Sequence, residues 1–518
     1  MSNIYQNLGF IKDPFAYTNA DQEENLEDYF IAPPYYESIQ GDFNSPASHI
    51  VLAPRGSGKT AQRRMIEIWS RDKPVLCVTY DRFELGNSQN LNDITLNYHL
   101  KNIIQRTLLN LVIWIAEYPD TLNNFSKEDK KNLSILCHNY LGEISGAKVT
   151  ETLNEIKSVT EKIKKYWNEN IGVLDSLLNF LLKKYDLPEL DLPELKQEEK
   201  KLSQSYKFQM ELIYELAQKI GFKSIYVLID KVDETHLTTS DSEATFRLIE
   251  PLIKDLETHG IKGYAFKYFL WDKIYEYLLK SGRPDRISIH SLIWSRDRLL
   301  EMLSNRLQAF SKKEIKNLES LFESKNNVSA DDSVTILSWR SPRNLIRICQ
   351  EIISEQTLIN NNVSKLDNRT LDRASLKISE KISQEIYGSE ITNEIKKIDR
   401  EFFSINHLAS NIYKVSTNAV RPRVASWVDK GFLFMVGGDK GNSKKPTNMY
   451  FVGDPRVNRI INAKKVLTDW LSNSWSPCPH CDSDLILDFN YLTSDIDVEC
   501  WNCKRTIYFP PKPTKENQ

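Results

Sequence analysis

The 518-residue sequence has no apolar run long enough to cross a membrane. Its longest, Leu108 to Ala116, is interrupted by Asn110 and falls far short of the roughly 20 residues that a helical span needs. The N-terminal stretch MSNIYQNLGFIKDPF lacks a cationic start followed by an apolar segment, so no secretory signal is expected. The expectation is a cytoplasmic protein with no membrane contact. An excess of one sign of charge is also missing: 68 Lys and Arg oppose 70 Asp and Glu, so bulk charge selects no class of partner. Cysteine is scarce, and of the seven present Cys77, Cys137 and Cys349 are scattered, which excludes a disulfide framework and fits a reducing compartment. With 41% hydrophobic and 27% charged residues the composition is globular, and the length exceeds what one core supports, so several modules are expected.

One further absence falls inside a motif. The segment IVLAPRGSGKTAQRRMIE, Ile50 to Glu67, reads as a phosphate-binding loop whose opening glycine is replaced by Ala53. Such a loop turns successive backbone N–H groups toward a phosphate, reaches it with a lysine and completes a magnesium shell with a hydroxyl. Arg55, Gly56, Ser57 and Gly58 form the cradle, with Lys59 and Thr60 as charge and metal ligand. At the strand exit a small residue matters more than a positive φ, so Ala53 should spare binding. The context is right: SHIVLA is a short β-branched run, and KTAQRRMIEIWSR carries Met65, Ile66, Ile68 and Trp69 at helical spacing.

The second element is SIYVLIDKVDETH, Ser224 to His236. Its apolar run ends in Asp230, as expected of a parallel strand buried on both faces with its functional end at the C-terminal tip. Asp230 is the expected magnesium-side carboxylate. Lys231 follows, which leaves Asp233 or Glu234 to activate water. The long interval between PVLCVTYD and this strand implies a helical insertion. Within it Leu153, Ile156, Ile163, Trp167, Leu174 and Leu177 follow helical spacing, and DLPELDLPEL forms a proline-broken acidic linker.

These residues resemble AAA+ and STAND-type P-loop ATPases, in particular the prokaryotic branch with origin-recognition-like architecture found among mobile-element and antiphage-defence ATPases. The resemblance spans roughly residues 10 to 460. It implies an α/β fold with a parallel sheet between helices, ATP and Mg2+ as ligands, homo-oligomers, and a nucleotide-driven switch on DNA or in defence, with a separate effector protein. In the family the segment matching Asp13 to Ile39 lies over the adenine, and an arginine before the last core strand reaches the neighbouring subunit's nucleotide. Arg283 and Arg286 match that position, and Arg343, at a helix start after Ser341 and Pro342, matches the lid arginine. The strand IKGYAFKYFLW shows no asparagine or threonine for the family's γ-phosphate sensor. Two rivals stay open: a replication- or transposition-type DNA loader, and an ATP-gated scaffold with little turnover.

Two C-terminal modules complete the expected organisation. Residues 402–461 read as a winged helix: between Asn411 and Ile460 nine Lys and Arg face three Asp, with Arg421, Arg423, Lys440, Lys444 and Lys445 placed for double-stranded DNA. CPHC and CWNC supply Cys478, Cys481, Cys500 and Cys503 at the spacing of a four-sulfur zinc ribbon, while His480 is read as solvated. The expected boundaries are an ATPase core at 1–90 and 221–295, an insertion at 91–220, a helical lid at 296–390, the winged helix at 391–465 and the ribbon at 466–510.

Overall fold

The computed structural model describes residues 3–83, 85, 90–141, 205–281, 286–439, 447–487, 496–500 and 502–509. The hairpin spacing and the acidic linker expected between residues 150 and 195 lie outside them. The chain divides into two compact units, one formed by Ala32–Leu292 and the other by Met1–Ile31 together with Ile293–Gln518.

The first unit is built on a five-stranded parallel sheet of β1 (His49–Ala53), β2 (Val75–Tyr80), β3 (Ser224–Ile229), β4 (Tyr264–Trp271) and β5 (Ser288–Ser291), in the order β2-β3-β4-β1-β5. Every residue of β1 and β3 is buried, which is why both read as unbroken apolar runs rather than alternating ones. Around the sheet lie helices α1 (Lys59–Ser70), α2 (Leu96–Glu117), α3 (Lys127–Leu141), α4 (Tyr206–Lys219) and α5 (Ser242–Lys254). Leu100, Ile104, Leu108, Leu136, Met210 and Ile213 share one core with Val78, Ile225 and Val227. The described parts of the expected insertion are thus a layer of the sheet's own core. Each such buried Leu or Ile contributes about 1.5–3 kcal/mol through burial. Ser205 caps α4 by accepting from the Lys207 amide, and Asp241 caps α5 by accepting from Ala244.

The face that α1 buries differs from its apolar spacing. Its buried residues are Lys59, Gln62, Arg63, Arg64, Ile66 and Ser70, whereas Met65, Ile68 and Trp69 are only partly covered. The reason is electrostatic: Arg63 pairs with Asp230 past the end of β3 and with Glu67 of α1 itself, and Arg64 pairs with that same Glu67, which makes their burial tolerable.

In the second unit, α6 (Arg296–Phe310), α7 (Ala330–Ser338), α8 (Pro342–Ile359) and α9 (Asn368–Tyr387) pack around Leu303, Val334, Leu345 and Ile352. The first 31 residues belong here, a correction to the 1–90 assignment. Ile4, Leu8, Phe10 and Phe15 enter that helical core, and Arg306 of α6 donates to the Pro14 carbonyl and pairs with Glu23 at 2.5 Å. Next come α10 (Thr417–Asp429) and an antiparallel sheet ordered β6 (Phe402–Ser404), β8 (Thr447–Val452), β7 (Leu433–Asp439). Helices α11 (Pro455–Ile461) and α12 (Leu467–Ser474) lead to two small ribbons, β9 (Trp475–Pro477) with β10 (Asp484–Ile486) and β11 (Ile496–Glu499) with β12 (Thr506–Phe509).

Candidate nucleotide site

The C-terminal tips of the parallel strands gather one charged cluster. After β1 the chain turns through Pro54 to Gly58 into α1, with φ of +79° at Gly56 and +94° at Gly58. A side chain would be strained at either, which is the physical content of the two glycines. Ala53 is fully buried as the last residue of β1, and its carbonyl accepts from Lys59 Nζ at 3.3 Å. Burial pushes the Lys59 ammonium down from its ordinary range, opposed by the carboxylates of Asp233, Asp230, Asp272 and Glu234.

Asp230 follows β3 directly, 170 residues from Thr60 in the chain, yet its Oδ2 accepts from Thr60 Oγ1 at 2.9 Å. The hydroxyl and carboxylate expected to share a magnesium ion are thus brought together, and the donors are of the hard oxygen type that ion takes. The same Oδ2 accepts from Arg63 Nε at 3.1 Å, and Oδ1 accepts from the Lys231 amide at 2.9 Å. Burial raises the carboxyl of Asp230, and Arg63, Thr60, the Lys231 amide and Lys59 oppose that rise.

The two candidate water-activating carboxylates have different surroundings. Both lie in a short 3-10 turn, Val232–Glu234. Asp233 is buried and held by Arg55, with Nε 2.7 Å from Oδ2 and Nη2 2.7 Å from the Asp233 carbonyl. The Arg55 guanidinium also lies 4.5 Å from the centre of the Trp271 ring. Glu234 is exposed. Lys231 has a left-handed φ of 58°, and its Nζ pairs with Asp81 Oδ2 at 3.2 Å beyond the tip of β2.

Two participants escaped the sequence reading besides Asp81. One is Arg63, buried on α1. Asp272 stands one residue beyond β4, beside the strand exit because Ala53 pairs with Trp271. Its Oδ1 is buried without a hydrogen-bond partner, and burial raises its carboxyl against the pull of Lys273 and Lys59. Its signal in the sequence is the acid immediately after the apolar run.

Arg283 is outside the described residues. Arg286 is exposed and precedes β5, so it sits at the sheet edge opposite the phosphate loop, because β5 runs parallel to β1. Arg343 is exposed in the first turn of α8, where Ser341 accepts from the Asn344 amide and Pro342 takes the first helical position. Arg421 and Arg423 are exposed on α10, and Arg423 pairs with Glu394 at 3.3 Å and covers the Tyr413 ring. Lys440, Lys444 and Lys445 are outside the described residues.

The four ribbon cysteines converge. Their sulfurs all lie within 4.8 Å of one another, with Cys478 to Cys503 at 3.8 Å and Cys481 to Cys500 at 3.7 Å. A disulfide needs about 2.05 Å. Four thiolates at about 2.3 Å from a tetrahedral zinc stand about 3.8 Å apart, so the spacing fits that ion. His480 is exposed and near Arg505 rather than among the sulfurs.

No protein-family model and no curated protein matches this chain. Among solved structures it is similar to Cdc6p from Pyrobaculum aerophilum, at 10% identity over 88% of this chain and 99% of that one, with a TM-score of 0.30. It is also similar to the ORC2 protein of Aeropyrum pernix in ADPNP-ADP complexes, at 10% identity over 86% and 98% of the chains and a TM-score of 0.33. The RuvB Holliday junction branch migration motor of Thermotoga maritima is similar at 14% identity over 49% and 83%, with a TM-score of 0.22. Scores this low carry no weight in the functional reading, which rests on the geometry of the site. No helix among the described residues is long and apolar enough to cross a membrane.

Proposed function

We propose that this chain is an ATP-binding P-loop ATPase of the AAA+ or STAND kind that works as a slow nucleotide-driven switch. The observation that carries the reading is the meeting of Thr60 and Asp230 at 2.9 Å beside Lys59, at the C-terminal edge of a parallel sheet. Residues far apart in sequence are assembled there as phosphoryl transfer requires, by positioning and charge rather than covalent chemistry. Gly56, Ser57 and Gly58 cradle the phosphates, and Lys59 answers their charge. Thr60 and Asp230 would hold magnesium, which when bound would supply positive charge to offset that developing on the phosphates.

Slow turnover is favoured by two contacts. Arg55 occupies Asp233, and a lysine turned toward Asp81 stands where a water-activating glutamate is usual, so the general-base role falls to Glu234. Arg286, on the edge of the sheet away from its own phosphate loop, serves a neighbouring subunit's nucleotide, as does Arg283 in the same segment. Arg343 contributes from the lid. The β6-β8-β7 sheet with α10 is read as a winged helix with Arg421 toward double-stranded DNA, and the cysteine cluster as a structural zinc site. A separate effector protein completes the switch, in the setting of defence against foreign DNA.

The test is ATP binding and hydrolysis by the native chain and Lys59→Ala, with and without double-stranded DNA, alongside mass by light scattering. Binding weakened in Lys59→Ala together with slow native turnover is the expected result. Native protein that binds no ATP would overturn the reading.

A further inference from the structure

We infer that Arg63 competes with magnesium for Asp230, so that arrival of the metal is a step separate from arrival of the nucleotide. The inference rests on the nucleotide-binding reading above and concerns how that same site is regulated.

Arg63 lies one turn into α1 after Lys59 and is 3% exposed. Its Nε and the Thr60 hydroxyl bond the same oxygen of Asp230. A cation approaching Thr60 and Asp230 therefore meets a like charge across the oxygen it needs, and a guanidinium cannot shed that charge by deprotonation. With the other oxygen engaged by the Lys231 amide, the charge of Asp230 is already answered before any metal arrives.

A second contact makes Arg63 displaceable rather than merely structural. Its Nη1 bonds Glu67 Oε1 at 2.5 Å, one turn further along α1. Glu67 is itself fixed by Arg64 at 3.2 Å and by the Thr79 hydroxyl at 2.5 Å. Arg63 can leave Asp230 and stay paired, so the metal displaces it without leaving a buried cation uncompensated. Two arrangements of one side chain follow: Arg63 shared between Asp230 and Glu67, and Arg63 on Glu67 alone. The first lets the loop hold a metal-free nucleotide without exposing its phosphates to an unanswered carboxylate.

The test titrates MgCl2 into native full-length protein carrying the fluorescent analogue mant-ATP, with protein in excess so that nucleotide is bound in EDTA beforehand. Arg63→Met should lower the magnesium midpoint about tenfold, the low end of what a charge roughly 4–6 Å away does to occupancy of a carboxylate. The same variant should weaken mant-ATP binding in EDTA. Glu67→Gln should act in the opposite sense, raising the midpoint several-fold, because Arg63 loses its alternative carboxylate. Its result stands even if Arg63→Met fails to fold. Midpoints that stay together, or a Glu67→Gln midpoint that falls, overturn the competition while leaving the site reading intact. Failure of native protein to bind mant-ATP at all would instead defeat that reading.

Discussion

The two edges of the one parallel sheet handle buried charge in opposite ways. At the C-terminal edge cations meet carboxylates: Arg55 with Asp233, Arg63 with Asp230 and Glu67, Lys231 with Asp81. At the N-terminal edge Lys267, His49 and His290 gather with neutral partners. Lys267 donates to the Ala47 carbonyl at 2.7 Å and lies over the Tyr226 ring, while His49 Nδ1 and His290 Nε2 are 3.1 Å apart and Tyr35 stacks on His290. Burial lowers Lys267 to about 7, and burial with the charge of Lys267 lowers His49 to about 4. Burial without a counter-ion suppresses charge, whereas neighbouring carboxylates oppose that loss, as Asp233 and Asp230 do for Lys59.

The largest expected effect separates the two acids of the charged edge. Glu234→Gln should cut turnover by about a hundredfold or more, the usual worth of a general base, while Asp233→Asn lowers it far less and instead loosens Arg55. Steady-state hydrolysis of both variants decides this, and equal losses would show that Asp233 acts on water despite its ion pair. Lys59→Ala should weaken nucleotide binding by roughly tenfold to a hundredfold, the range for losing a charge-assisted hydrogen bond, as read by calorimetry. If binding survives, the charged edge has no special claim on phosphate.

Removal of metal tests the second unit apart from this contrast. Prolonged chelation, or Cys500→Ser, should release about one zinc per chain, measured by emission spectrometry. It should also increase proteolysis near residues 478–503, because Cys478 and Cys500 pack with Phe451, Leu485 and Ile507. A purified chain carrying no zinc would defeat the assignment.

The smallest effect belongs to the neutral edge. The folded pKa of Lys267 lies below its unfolded value, so from about pH 7 to 10.5 the unfolded state binds a proton that the folded state does not. That group therefore opposes folding fully below this window and stops doing so above it. Lys267→Met should raise Tm by roughly a few degrees at pH 7, with the margin shrinking toward pH 10, and should leave nucleotide binding unchanged. A margin independent of pH would mean that Lys267 is charged in the folded protein.

Much of the site was legible in advance because its parts are local signals. A glycine-rich turn between a β-branched run and a helix predicts the phosphate loop, and an apolar run ending in Asp230 predicts a strand tip. Asp272 was equally local, the residue immediately after the apolar run of β4. Arg63 was not legible, since its partner lies 167 positions away and nothing in the spacing of α1 announces an ion pair. The placement of the first 31 residues was hidden for the same reason: Arg306 meets Glu23 across 283 positions.

The sequence alone determined the elements and the chemical kinds of the side chains at their ends, because hydrophobic periodicity, glycine conformations and cysteine spacing act over a few residues. Tertiary structure alone decided which carboxylate is engaged and by which cation. Those choices depend on strand order and burial, which bring Thr60, Arg63 and Asp230 onto one carboxylate and turn Lys231 away to Asp81. Coulombic pairing and desolvation act through space, at distances the linear chain does not record.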